Sequence, residues 1–78
     1  MNINLAINEG SKILKSKLIP NPLLDAEILM AKTINKDRNY ILLNCNNSIN
    51  KNDLKNLMRF MLNDQDYLKW KKIYNKTH

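Results

Sequence analysis

Two carboxylates, Asp25 and Glu27, sit in the stretch NPLLDAEILMAK, an otherwise mostly apolar run just behind a proline. Paired carboxylates suit general acid–base chemistry, but only when both reach the same substrate atom. On a helix, residues two apart point about 200° away from each other, so these two cannot share a target. Asp25 falls on a polar edge with Lys32, near the N-terminus of the predicted helix, where negative charge is favoured. Glu27 falls between Leu23, Ala31 and Ile34, inside an apolar sector, and a carboxylate there needs a partner or a path to water. The positions three and four away hold Leu23, Leu24, Met30 and Ala31, none of them a cation. Arg38, opening the next element after a tight connection, is the expected partner. The spacing therefore predicts a structural ion pair of Glu27 with Arg38, with Asp25 as a further member, that fixes the angle between two helices. Breaking one partner of such a pair would cost about 3–5 kcal/mol if it is buried and about 0–1 kcal/mol if it is exposed.

The other reactive side chains offer less. A single cysteine, Cys45, makes no internal disulfide and has no evident base to activate it, so it reads as a packed or surface thiol. With His78 the sole histidine, no zinc set can be assembled within one chain. One glycine excludes a glycine-rich phosphate loop. No catalytic, cofactor-binding or metal-ligating residue is assigned. Near the C-terminus, Tyr67, Trp70 and Tyr74 recur at helical spacing with Lys69, Lys71 and Lys72 between them. Interleaved aromatics and lysines can bind RNA. The same pattern describes a helix that docks its aromatic stripe on a core while its lysines face water, and this is the expectation adopted.

The elements that must position these residues are all helical. The 78 residues include one glycine and two prolines, and no run alternates as a half-buried strand would. A small all-α bundle of four to five helices is expected, with a helical N-terminal domain over residues 1–62 and a C-terminal helical extension, 63–78, packed on it. The first helix starts near Asn2 or Asn4 and runs to about Lys17, with Ile3, Ile7, Gly10, Leu14 and Leu18 on one face. Gly10 in that face suggests close approach of another helix. The second helix runs from Pro22, with Asn21 as its cap, to about Ile34. Its apolar residues spread over most of the circumference, which predicts a buried central helix. Asp37 caps a short third helix. Asn50 caps the fourth, where Ile49 and Leu54 form a staple and Leu54, Leu57, Met58, Met61 and Leu62 form the apolar stripe.

The net charge of +6 invites a nucleic-acid or acidic-protein partner. By wheel position Lys12, Lys15, Lys55 and Arg59 are solvent-facing candidates for partner contact. No apolar run reaches the roughly 18 residues that cross a bilayer, and MNINLAINEG is not a signal peptide; the cytoplasm is expected.

IPNPLLDAEILMAK, followed by KDRNYILLN and a Leu/Met helix, resembles the N-terminal helical domain of the release-factor glutamine methyltransferases, the HemK/PrmC family. The family's Pro-x-x-Asp-Ala-Glu-x-Leu-Leu run is met by Pro22, Leu23, Leu24, Asp25, Ala26, Glu27, Ile28, Leu29 and Met30, and its arginine at the third helix by Arg38. The resemblance implies a parent enzyme that moves a methyl group from S-adenosylmethionine to a glutamine of peptide chain release factors, in a separate C-terminal domain. A sister group acting on a ribosomal protein has a similar N-terminal domain. The bundle's implied role is to seat the protein substrate; no catalytic or cofactor motif of the family lies in this chain. The family continues through a linker containing Gly and Pro, whereas residues 63–78 contain neither. Two rival readings stand beside this one: a free-standing basic helical module that binds RNA or ribosomal components, and an oligomeric packing domain.

Overall fold

The computed structural model describes residues 1–77, and His78 lies outside the described residues. Five helices follow one another: α1 (Ile3–Ser16), α2 (Pro22–Ile34), α3 (Arg38–Leu43), α4 (Lys51–Leu62) and α5 (Asp64–Thr77). The all-α expectation holds. The sole strand-like feature among the described residues is an isolated antiparallel bridge between Asn2 and Ser48.

The helix starts follow local side-chain chemistry. Asn2, Asp37 and Asn50 each accept a hydrogen bond at 2.8 Å from the amide three residues on, those of Leu5, Tyr40 and Asp53. Asn63 accepts from the amides two and three residues on, those of Gln65 and Asp66 at the start of α5, at 3.0 and 3.1 Å. Asn21 occupies the cap position of α2, but its side chain makes no capping bond; Pro22 alone sets that helix start. The first turn of α1 is closed from a distance. Ile3 N–H donates to the Asn47 carbonyl and Asn4 N–H to that of Cys45, both at 2.9 Å. Carbonyls of the α3–α4 loop thus satisfy donors that a helix N-terminus leaves open.

Two helix ends use the left-handed region. After α1, Leu18 has φ 63°; its N–H bonds to the Lys15 carbonyl and that of Ile19 to the Leu14 carbonyl. Asn35 repeats this after α2 at φ 58°, with bonds to Lys32 and, from Lys36, to Ala31. Both are Schellman turns. The turn carries Leu18 off the apolar face of α1 and leaves it 89% exposed, against the expectation that it continues the face of Ile3, Ile7 and Leu14.

The core gathers Ile3, Ala6, Ile7 and Leu14 from α1, Ala26, Leu29 and Met30 from α2, Ile41 from α3, Leu57 and Met61 from α4, and Tyr67 and Trp70 from α5. Gly10 lets α1 and α4 approach. A Cβ built there would stand 2.8 Å from the Met61 methyl carbon. Leu62 is exposed rather than part of the α4 stripe. Helix α2 is central, packed against α1, α3 and α4, although Leu23 and Leu24 near its start face solvent. Its main buried arc is centred between Ala26 and Leu29, and Ala31 is buried on the opposite side.

Candidate functional site

The buried arc of α2 decides the fate of its two carboxylates. At 100° per residue, Asp25 lies beside Leu29 at the arc's edge and Glu27 lies on the far side. Asp25 is 1% exposed, the one buried charged residue among those described. Glu27 keeps the apolar neighbours Ala31 and Ile34, with its own side chain 22% exposed. The sequence places Asp25 on a polar edge, and the structure overturns this. The reason is α5, which covers the side of α2 that carries Asp25.

A buried carboxylate must be paired and hydrogen-bonded to be tolerated. Asp25 Oδ2 accepts from the Tyr67 hydroxyl at 2.5 Å and Oδ1 accepts from Lys71 Nζ at 2.8 Å. Both donors belong to α5 and lie four residues apart, hence on one helix face. The Tyr67 phenol is pushed well above its ordinary value of 10.0, first by burial, then by the hydrogen bond to Asp25 and that carboxylate's charge. Every buried side-chain nitrogen or oxygen among the described residues has a partner.

This network has a consequence at high pH. In the unfolded chain Tyr67 loses its proton near pH 10, while in the folded chain it keeps it. Above about pH 10 the folded state therefore binds more protons than the unfolded state, and stability falls as pH rises. Urea midpoints measured upward from pH 9 should drop more steeply for the native sequence than for Tyr67→Phe. Parallel slopes would remove Tyr67 from the alkaline response.

Glu27 takes another partner. Its Oε1 accepts from Arg38 Nη2 at 3.1 Å, across the turn between α2 and α3. Asp25 is no member of that group, because both its oxygens are engaged by α5. The Glu27 and Arg38 side chains are 22% and 54% exposed, so solvent screens the pair and the cost expected for a buried pair does not apply. A double-mutant cycle with Glu27→Gln and Arg38→Met should give a coupling of about 0–1 kcal/mol. A coupling of several kcal/mol in thermal melts would contradict this assignment.

The four cations singled out for partner contact, Lys12, Lys15, Lys55 and Arg59, are all exposed. They lie on two helices, two on α1 and two on α4. Lys12 stands 3.5 Å from Glu9, and Arg59 Nε stands 3.5 Å from Asp66. Lys17, which sequence reasoning passed over, bonds both the Leu62 carbonyl at 3.1 Å and Asp64 at 2.6 Å. It ties the end of α1 to the α4–α5 junction.

The aromatic stripe of α5 is turned inward. Tyr67 and Trp70 are buried. Trp70 stacks on Tyr74 with centroids 5.5 Å apart and meets Tyr67 at 5.7 Å, while Lys71 Nζ lies 5.6 Å from the Trp70 ring centroid. These rings serve one another rather than presenting faces to bases. The half-buried Cys45 is a free thiol. Gly10, the sole glycine, is inside α1 against Met61. Among the described residues no group of His, Cys, Asp and Glu could hold a metal ion, and no helix is long and apolar enough to cross a membrane.

Comparison with known proteins gives one match. A family model described as the PrmC N-terminal domain matches residues 6–63, which spans most of α1 and all of α2, α3 and α4. Neither the curated proteins nor the solved structures yield a match. In that frame the Asp-Ala-Glu run holds three separate scaffold positions: Asp25 bonds α5, Ala26 is fully buried, and Glu27 pairs with α3. With more than half of its length matched, the chain belongs to the PrmC N-terminal domain family.

Proposed function

We propose that this chain is the substrate-seating domain of a cytoplasmic, S-adenosylmethionine-dependent protein-glutamine methyltransferase that acts on peptide chain release factors. Family membership over residues 6–63 carries the reading. The carboxylates of α2 agree with it, since Asp25 is committed to α5 and Glu27 to Arg38. A bundle so committed performs no chemistry of its own; the methyl transfer and the cofactor belong to a C-terminal methyltransferase domain of the parent enzyme. Lys12 and Lys15 on α1, with Lys55 and Arg59 on α4, are the contacts proposed for the protein substrate.

Calorimetric titration of the chain with a class 1 release factor should show saturable binding. Titration with S-adenosylmethionine should show none, and micromolar cofactor binding would overturn the non-catalytic assignment. Exchanging the four lysine and arginine residues for glutamate should weaken the release factor and leave the melting temperature within a few degrees. A release factor that binds the exchanged chain equally well removes these two faces from the proposal.

A further inference from the structure

Two shallow grooves run along the flank of α5 and share Lys32, Trp70 and Ile73 in their walls. One, of about 480 Å³, opens towards α2 and α3 and has Ile28 and Ala31 in its lining. The other, of about 280 Å³, opens towards α4 and has Phe60. Ile73, on the ridge between them, is 58% exposed. The lining is thus largely aliphatic and aromatic, and the two grooves meet at Trp70 and Ile73.

Its rim carries an excess of positive charge. Four cations line the grooves, Lys32, Arg38, Arg59 and Lys69, against two carboxylates, Asp37 and Asp66. The carboxylates are already used. Asp37 caps α3 through the Tyr40 amide, and Asp66 stands beside Arg59. Arg38 is held by Glu27. Lys32 and Lys69 are left, both exposed and neither in an ion pair among the described residues. On α5, Lys69, Lys72, Ile73 and Lys76 fall within a sector of about 100°, so the exposed isoleucine is ringed by lysines on its own helix as well.

We propose that this double groove binds an acidic peptide segment, which sets aliphatic side chains beside Ile73 and carboxylates against Lys32 and Lys69. Unpaired cations around an apolar ridge complement such a segment in both charge and hydrophobicity. A single-stranded nucleic acid would need open aromatic faces, and Trp70 is 8% exposed with its ring stacked on Tyr74. The site goes beyond release-factor seating by the matched domain, because the α5 half of the groove lies outside residues 6–63.

Trp70 is the only tryptophan and lines both grooves, so its fluorescence reports occupancy directly. The full 78-residue chain is titrated with three probes: an amidated amphipathic peptide of leucine and glutamate, the same peptide with lysine for glutamate, and a ten-nucleotide oligouridine. The leucine–glutamate peptide should give a saturable change in emission that weakens with salt. Lys32→Glu with Lys69→Glu should lower its affinity on the order of tenfold or more. Both lysines are exposed, and the Lys32→Gln, Lys69→Gln pair serves as a second, milder variant whose fold is checked by circular dichroism. No response to the glutamate peptide, an equal response to the lysine peptide, or undiminished binding by both variants would overturn the proposal. A saturable response to oligouridine alone would assign the surface to RNA and overturn it as well. Release-factor binding by the same chain, measured separately, shows whether a failure concerns this groove or the domain's proposed role.

Discussion

Asp25→Ala is expected to cost about 3–5 kcal/mol, the range for breaking one partner of a buried pair. The substitution strands two donors. The Tyr67 hydroxyl, on a residue 6% exposed, keeps no acceptor, and an unsatisfied buried donor alone costs about 1–3 kcal/mol. Lys71, whose side chain is 32% exposed, can swing its ammonium to water, which moves the total towards the lower end. A domain of this length has only about 4–12 kcal/mol in hand at the usual stability per residue. The variant should therefore melt far below the native sequence, with α5 the first element to leave. The triple change Asp25→Leu, Tyr67→Phe, Lys71→Met tests the cause. Apolar replacement of a whole buried network is often neutral or stabilising, so the triple variant should recover most of the loss. A triple variant as unstable as Asp25→Ala would show that the network does more than satisfy itself.

Trp70→Ala should cost about 3–5 kcal/mol as well, the range for emptying an aromatic site in a core. The indole lies between Tyr67 and Tyr74, 5.7 and 5.5 Å from their centroids, and its removal breaks the stripe that docks α5 at its middle. Helices α1 to α4 retain Leu14, Leu29, Leu57 and Met61, all fully buried, and should keep helical circular dichroism after α5 has come loose. Affinity for RNA should stay at its nonspecific level, because the ring is already occupied by protein. A melting temperature within two or three degrees of the native one would place Trp70 outside the core.

How much of this was legible beforehand depended on how local the cause was. Asn2, Asp37 and Asn50 cap their helices through an amide three residues away; the sequence alone named Asp37 and Asn50, and offered Asn2 beside Asn4. The whole of α2, from Pro22 to Ile34, is bounded by residues inside or beside it. The family resemblance rested on the same stretch together with Arg38 and the Leu/Met helix that follow it. The environment of Asp25 was beyond local reading, because a helical wheel ranks faces by composition and cannot know that a helix more than forty residues later will cover one of them. Tyr67 and Lys71 were visible as members of a stripe, with nothing in their spacing to name an aspartate as their common acceptor. Glu27 was more legible, since its need for a partner followed from its own neighbours. Ala31 is buried but Leu23 is half exposed, so the sector is partly covered and the Glu27–Arg38 pair forms at its edge. Leu18 departed from its predicted face for a backbone reason, since the left-handed turn re-aims it after the last helical residue.

The remote closure of α1 by the α3–α4 loop bears on how the molecule breathes. The first turn of a helix ordinarily frays, and its amide protons exchange with solvent after a small local opening. Here the amides of Ile3 and Asn4 are held by carbonyls of Asn47 and Cys45, so freeing them means undocking a loop more than forty residues downstream. Closing a loop of that length is an entropic cost that must be met before these bonds can form. Their deuterium uptake should therefore follow the slow, cooperative opening of the whole bundle, and the N-terminal turn of α1 becomes a reporter of global unfolding.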